Sequence, residues 1–326
     1  MAEGSLRIKP GNNGTGLPLR RRGDPGRRYH WYNKPMSPAY RLVVMADIHG
    51  NLPAFEAVMA DLEQYAPLDG YLVAGDVVGG PGQEAVLQRL IALGAVVAHG
   101  NGEVSALQAA DGSAPAYVYT ARQFTLTRWV VAHLSPQSIA FLRRQPPQSV
   151  VTLPGAQPVR LVHGSPRDVS ELVNPLRNPA LLAEVMKLAS EPVVVFGHTH
   201  WPFQVRLDGR LAINPGAVCF PEDGFIGAQY ALLDWDGKGW TAQHHQVAYN
   251  LAEFRRSYRE SGFLGVSPLC RLYYEDVHSG VDTLHTFFDH CQALAEAAGY
   301  GEQLYFPDEI WQKAEETFPW NAELPE

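Results

Sequence analysis

Five short polar blocks lie between Asp47 and His200: Asp47-Ile48-His49, Gly75-Asp76, Gly100-Asn101-Gly102-Glu103, His163-Gly164-Ser165 and Gly197-His198-Thr199-His200. Four of them closely follow an apolar run. Carboxylates and imidazoles are costly to cluster at the edge of a core unless something binds them, and a pair of divalent cations does so. Asp47 and His49, two residues apart, share one side of an extended strand end and can grip one ion together. Asp76 has two carboxylate oxygens to offer to two ions. Asn101 adds a neutral carbonyl oxygen, and His163, His198 and His200 add imidazole nitrogens. This mixture suits Mn²⁺, Fe²⁺ or Zn²⁺, with Mn²⁺ preferred here, whereas Ca²⁺ and Mg²⁺ favour all-oxygen shells. Two such ions about 3.5–4 Å apart hold a phosphate, lower the pKa of a bridging water and stabilise both apical oxygens of an in-line displacement. Taken singly, each block has an ordinary reading, a histidine bonded within a sheet or a Gly-Asp or Gly-Asn turn. Their order and joint occurrence are what point to metal binding.

The elements around the blocks support that placement. Arg41–Ala46, Tyr71–Ala74 and Ala95–Ala98 are short apolar runs that predict buried strands. Helices are predicted between them, one opened by Pro53 and continued by Phe55, Met59 and Leu62, and one over Glu84–Leu93. Alternating strands and helices imply right-handed crossovers in a parallel sheet, with ligands gathering beyond the carboxyl ends of the strands. A helical excursion over Arg122–His133 and Pro136–Arg144 follows. Strands resume at Pro158–Val162 and Pro192–Phe196, each delivering histidines at its end. Phe203–Leu207, Leu211–Ile213, Ala228–Asp234 and Trp240–Val247 are expected to be antiparallel strands, Asp208-Gly209 a hairpin turn, and a second sheet their product. The fold class is α/β, a two-sheet sandwich flanked by helices, with a helical C-terminal extension.

Bulk properties narrow the rest. The 326 residues, 46% of them hydrophobic, suffice for one substantial core in one or two domains. No apolar stretch approaches the ~20 residues that span a bilayer and no secretory signal is evident, so a cytoplasmic location is expected. Cys219, Cys270 and Cys291 are scattered, which argues against a disulfide framework and against thiolate ligands. The net charge of −8 is uneven: residues 1–35 carry eight Lys/Arg against two acids, and residues 266–326 carry two against twelve acids. The expected organisation is a disordered basic leader at 1–38, a catalytic domain at 39–262 and an acidic helical extension at 263–326. The leader offers at most a weak nucleic-acid contact. In the extension, Val281, Leu284, Phe288, Cys291, Ala295 and Ala298 make one apolar face, suited to packing or to a homo-oligomer contact.

The blocks resemble the signature of the calcineurin-like metallophosphoesterases. Asp47-Ile48-His49-Gly50-Asn51, His163-Gly164-Ser165-Pro166 and Asn214-Pro215-Gly216 look most like its small bacterial and archaeal phosphodiesterase branch. The resemblance covers Tyr40 to Gly262. It implies two mixed sheets flanked by helices, one metal held by Asp47, His49, Asp76 and His200, and a second by Asp76, Asn101, His163 and His198. It also implies hydrolysis by a metal-bridging hydroxide, with Asp76 and Asn101 in catalytic roles and Asn51 and Asn101 as candidate substrate contacts; Arg167, just beyond His163-Gly164-Ser165-Pro166, is a candidate phosphate contact or a surface arginine.

One position departs from the pattern. Many family members carry histidine immediately after the motif asparagine, where it contacts phosphate and protonates the leaving group, but here that residue is Gly102. A missing general acid costs about 10²–10⁴ in rate for a poor leaving group. The departure favours diesters and nucleotide phosphoesters over alkyl monoesters. His99 is a candidate substitute acid, with bonding within the sheet as its alternative, and Glu103 is free to cap the following helix. Two other functions share these residues, a serine/threonine phosphoprotein phosphatase and a metal-binding scaffold without turnover.

Overall fold

The computed structural model describes residues 38–301 and 305–321. The basic leader therefore lies outside the described residues, apart from Pro38. In chain order, β1 (Tyr40–Met45), β2 (Gly70–Val73) and β3 (Val96–Val97) alternate with helices α1 (Leu52–Leu62) and α2 (Gln83–Leu93). β1, β2 and β3 pair in parallel, as their unbroken apolar runs predict. Helix α3 (Asn101–Ala110) starts directly at the third polar block, and α4 (Ala116–Thr120), α5 (Thr125–Ala132) and α6 (Pro136–Arg144) complete the excursion. Asn51 caps α1 by accepting from the Ala54 N–H, and Ser135 caps α6 by accepting from the Ser138 N–H.

A second sheet begins with β4 (Ser149–Val151), β5 (Val159–Leu161) and β6 (Val193–Val195), with helix α7 (Pro179–Val185) between β5 and β6. It is completed by the hairpin of β7 (Phe203–Leu207) and β8 (Arg210–Asn214), giving the order β4-β5-β6-β8-β7. β9 (Ala228–Trp235) and β10 (Trp240–Val247) do not join it. They return to the first sheet, where β9 runs antiparallel to β1 and the order is β10-β9-β1-β2-β3. Alternation in a strand reports which faces are buried but not which neighbour it pairs with. β9 is buried on both faces, and either sheet would satisfy that.

Three apolar layers hold the sandwich. Between the sheets, Leu42, Val44 and Leu72 meet Leu161, Val195 and Ile213. Other residues of the first sheet, such as Val43, Met45 and Tyr230, point outward to α1, α2, α5 and α6. On the far side Val194 and Phe196 pack against Leu182, Val185 and Met186.

The C-terminal part is helical: α8 (Leu251–Glu260), α9 (Pro268–Ser279), α10 (Leu284–Ala297) and α11 (Asp308–Thr317). Phe254, Tyr258, Phe263, Cys270 and Tyr274 join the first-sheet core, and α10 and α11 form a satellite core around Phe287 and Trp311. The described residues fall in one compact unit. No helix among them is long and apolar enough to cross a membrane.

Asp276 ties α9 to α10, its Oδ1 accepting from the Thr283 N–H at 2.9 Å. Burial raises its pKa to about 7, against the opposing pull of Thr283. An unfolded aspartate titrates near 4. Between about pH 4 and pH 7 the native state therefore binds more protons than the unfolded state, and this group's contribution to stability falls as pH rises. Asp276→Asn should gain stability relative to the parent chain on going from about pH 5 to about pH 8 in urea unfolding. A difference between the two proteins that stays constant with pH would overturn the assignment.

Candidate metal centre

Each polar block sits where a strand ends and the backbone must turn sharply. Asp47 and His49 follow β1, Asp76 follows β2, Asn101 follows β3, His163 follows β5, and His198 and His200 follow β6. The turns are strained. Asp47 (φ 54°), His49 (43°), Asp76 (51°), His198 (67°) and His200 (51°) are five of the six non-glycine residues with positive φ among the described residues. The left-handed region costs an L-residue about 1–3 kcal/mol, and such residues collect where function requires a fixed direction for a side chain.

The strain aims the side chains into two adjoining groups, Asp47 with His49 and His200, and Asp76 with His163 and His198. Within each, one donor atom per residue lies within 4.8 Å of the others. His200 Nε2 is 3.5 Å from Asp47 Oδ1 and 3.4 Å from His49 Nε2. His163 Nε2 is 3.2 Å from Asn101 Oδ1. Asp76 Oδ2 spans the groups, at 3.7 Å from His49 Nε2 and 3.5 Å from His163 Nε2. All seven residues expected as ligands are thus brought together.

Backbone partners orient the imidazoles. His163 Nδ1 lies 2.6 Å from the Ala74 carbonyl, His200 Nδ1 3.0 Å from that of Phe220, and His198 Nε2 3.1 Å from that of Ser170. Each donates there and presents its other ring nitrogen to the centre, the arrangement that fixes metal-binding histidines. Asp47 accepts from the His198 N–H at 3.0 Å. Asn214 pins the same loop, its Nδ2 donating to the Gly197 carbonyl and to Thr199 Oγ1.

The charges are arranged as acids among imidazoles. Burial alone would raise the Asp76 pKa, but His163 and His49 hold it below the ordinary carboxylate range, and His200 and His163 do the same for Asp47. Burial pulls His163 and His200 down, yet Asp76 and Asp47 outweigh it and lift them to about 9 and about 10. His49 and His198, for which burial dominates, fall to about 4. A buried set of oxygen and nitrogen donors with this sign pattern fits divalent transition metals, which would take over from protons the task of neutralising the carboxylates.

Gly102 and Glu103 have roles the spacing did not reveal. The Gly102 N–H donates to Asp76 Oδ1 at 2.8 Å, and a Cβ on this glycine would stand 3.0 Å from the same oxygen. At Gly100 a Cβ would overlap it outright, so the approach of α3 to Asp76 requires glycine. The buried Glu103 carboxylate accepts from four backbone N–H groups: Asp76 and Gly100 at 2.8 Å on Oε2, and Val77 at 2.8 Å and Val78 at 3.1 Å on Oε1. It caps α3 as expected and also clamps the Asp76 turn.

The remaining candidates stand apart. His99 Nε2 lies 2.9 Å from the Leu142 carbonyl, and Asn51 donates to the Tyr249 hydroxyl besides capping α1. Arg167 is half exposed and paired with Glu171 and Glu184. The structure brings none of these three side chains into the two groups. Two aromatic residues that the motifs gave no signal for form one wall: Phe220 stacks on His49 with ring centroids 4.8 Å apart, and Tyr273 of α9 stacks on Phe220, also at 4.8 Å.

Known proteins share this architecture. A model of the calcineurin-like phosphoesterase superfamily domain matches residues 40–238. A metallophosphoesterase from Sphaerobacter thermophilus is similar at 26% identity and a TM-score of 0.60, over 74% of this chain and 100% of that one. A hypothetical protein from Pyrococcus horikoshii shares the fold, at 17% identity and a TM-score of 0.58 over 71% and 96% of the two chains. Comparison with curated proteins gives no match.

Glu103→Gln tests the clamp. An amide keeps one acceptor oxygen and turns an NH₂ toward two of the four N–H groups. Loss of about 1–3 kcal/mol in urea unfolding is expected. An unchanged midpoint would show that the four contacts do not hold the turn.

Proposed function

This chain belongs to the calcineurin-like phosphoesterase superfamily, and from that premise we propose that it hydrolyses phosphodiesters or nucleotide phosphoesters with the help of two divalent ions, Mn²⁺ preferred. The observation that carries the reading is Asp76 Oδ2, placed between His49 Nε2 and His163 Nε2 so that one carboxylate can serve both ligand groups. Asp47, His49, Asp76 and His200 would hold one ion, and Asp76, Asn101, His163 and His198 the other. Bound there, the ions supply Lewis acidity and a nucleophile at neutral pH.

The protein's own groups do the rest. Imidazoles tied to backbone carbonyls cannot swing away, so the donor set is fixed before substrate arrives. Asn101, at the first residue of α3, has its amide beside His163 and would orient a phosphoryl oxygen. Where many relatives have a histidine, Gly102 offers only its N–H, already engaged by Asp76. Without a strong proton donor at this position, monoesters of poor leaving groups are disfavoured most.

With Mn²⁺, bis-p-nitrophenyl phosphate should be cleaved faster than p-nitrophenyl phosphate, and a phosphoserine peptide slower than both. Phosphopeptide turnover without diester cleavage would replace this reading by a phosphoprotein phosphatase. His198→Ala should lose about one equivalent of bound metal and at least ~10²-fold in rate. Full metal content and rate in that variant would refute the ligand assignment.

A further inference from the structure

Beside the two ligand groups lies a cavity of about 150 Å³ whose far wall has no role in the function proposed above. His49, Asp76, Asn101 and Gly102 line it beside the ligand groups, with Tyr273 against His49, and Leu126 and Val130 line it as well. Gly102 keeps this space open, because any side chain there would start beside Asp76. Tyr273 comes from α9, outside the matched residues 40–238. Its ring is 5.3 Å from that of His49 and stacks on Phe220, which fixes it at the end of the cavity nearest the ligand groups. Tyr273 is partly buried, and its hydroxyl makes no hydrogen bond to another described residue. A phenol carries one O–H donor, and no other described residue takes it up here.

We propose that the Tyr273 hydroxyl donates a hydrogen bond to the leaving-group oxygen of the phosphoester, and that this cavity receives a leaving group no larger than a single ring. The inference rests on the phosphoesterase reading for its reaction and on the cavity alone for its ligand. In the step, a water oxygen bonds to phosphorus while the bond from phosphorus to the leaving oxygen breaks. The leaving oxygen keeps the electron pair, its growing charge is met by the Tyr273 O–H, and the proton lost by the water ends on the alcohol or phenol product. The lining is mixed, with Ser105, Gln123 and Thr127 beside Leu126 and Val130, and a space of roughly 150 Å³ holds a single ring of the size of benzene, whereas a nucleoside is larger. Any nucleoside portion would stay on the retained phosphate. Ser105 and Thr127 also line the cavity, but Tyr273 is the hydroxyl-bearing residue in contact with the His49 and Phe220 rings. His99 is not among the lining residues, and its Nε2 is engaged by Leu142.

Tyr273→Phe in the full chain keeps the ring and its stacking and removes only the hydroxyl. With Mn²⁺, kcat for diphenyl phosphate should fall about 10²-fold, the usual effect of deleting one donor to a developing oxyanion, and that for bis-p-nitrophenyl phosphate by no more than about threefold. Equal losses for both esters, or none, would overturn the role. Calorimetry on metal-free protein reads the cavity independently of turnover. Phenol should bind the parent chain and bind Tyr273→Phe about tenfold more weakly, and 2-naphthol should not bind. Absence of phenol binding, equal binding to both proteins, or binding of 2-naphthol would overturn the assignment. If the parent chain cleaves no ester with Mn²⁺, Fe²⁺ or Zn²⁺ while phenol binds as expected, the phosphoesterase reading fails and the cavity assignment stands.

Discussion

The position of one carboxylate organises the centre. Asp76 Oδ1 is taken by the Gly102 N–H, which leaves Oδ2 between His49 and His163. Were the carboxylate rotated or withdrawn, the two groups of donors would lose the oxygen that lies between them. The surroundings of Asp76 are built to prevent that. Its backbone is in the left-handed region, its own N–H is held by Glu103, and the glycine at 100 permits helix α3 to close against it.

Such a site is expensive in the free energy of folding, and the sandwich is what offsets it. Two acids and four imidazoles are buried or nearly so, and five of those six have positive φ. Each departure opposes folding by about 1–3 kcal/mol and persists only where the structure around it is over-determined. Here the restraint comes from three close-packed apolar layers and from polar anchors one step behind the site, Glu103 and Asn214. Neither anchor faces a ligand group with a free atom. Their action is to hold turns, and they show how far a site's requirements extend beyond the residues that face it.

The chain's residues disclosed the parts whose physics is local. Apolar runs ending in Asp47, Asp76, His163 or His198 located the strand ends, because burial without alternation is legible over four or five residues. Glu103 as a helix cap was legible too, because an acid at the start of a helix, with no histidine at 102 to orient, meets the helix's unpaired N–H groups. What depended on pairing was not. β9 has the same composition whichever sheet it joins, and it joined the first. His99 has a neighbour's spacing to Asn101, but its ring turned to the Leu142 carbonyl. Tyr273 lies in an acidic helical stretch with an apolar face, where nothing in the periodicity marks one tyrosine as facing the site and the next, Tyr274, as core. Only the packing of α9 across the strand ends separates them.

The order of these parts along the chain has a consequence for biosynthesis. Every residue of the two donor groups lies at or before position 200, whereas β9, which completes the first sheet beside β1, and Tyr273, which walls the cavity, come afterwards. Chains fold from the N-terminus as they leave the ribosome. A nascent chain therefore presents all the donors before it has the strand that braces them or the wall that shapes the cavity. The capacity to select what is bound arrives last.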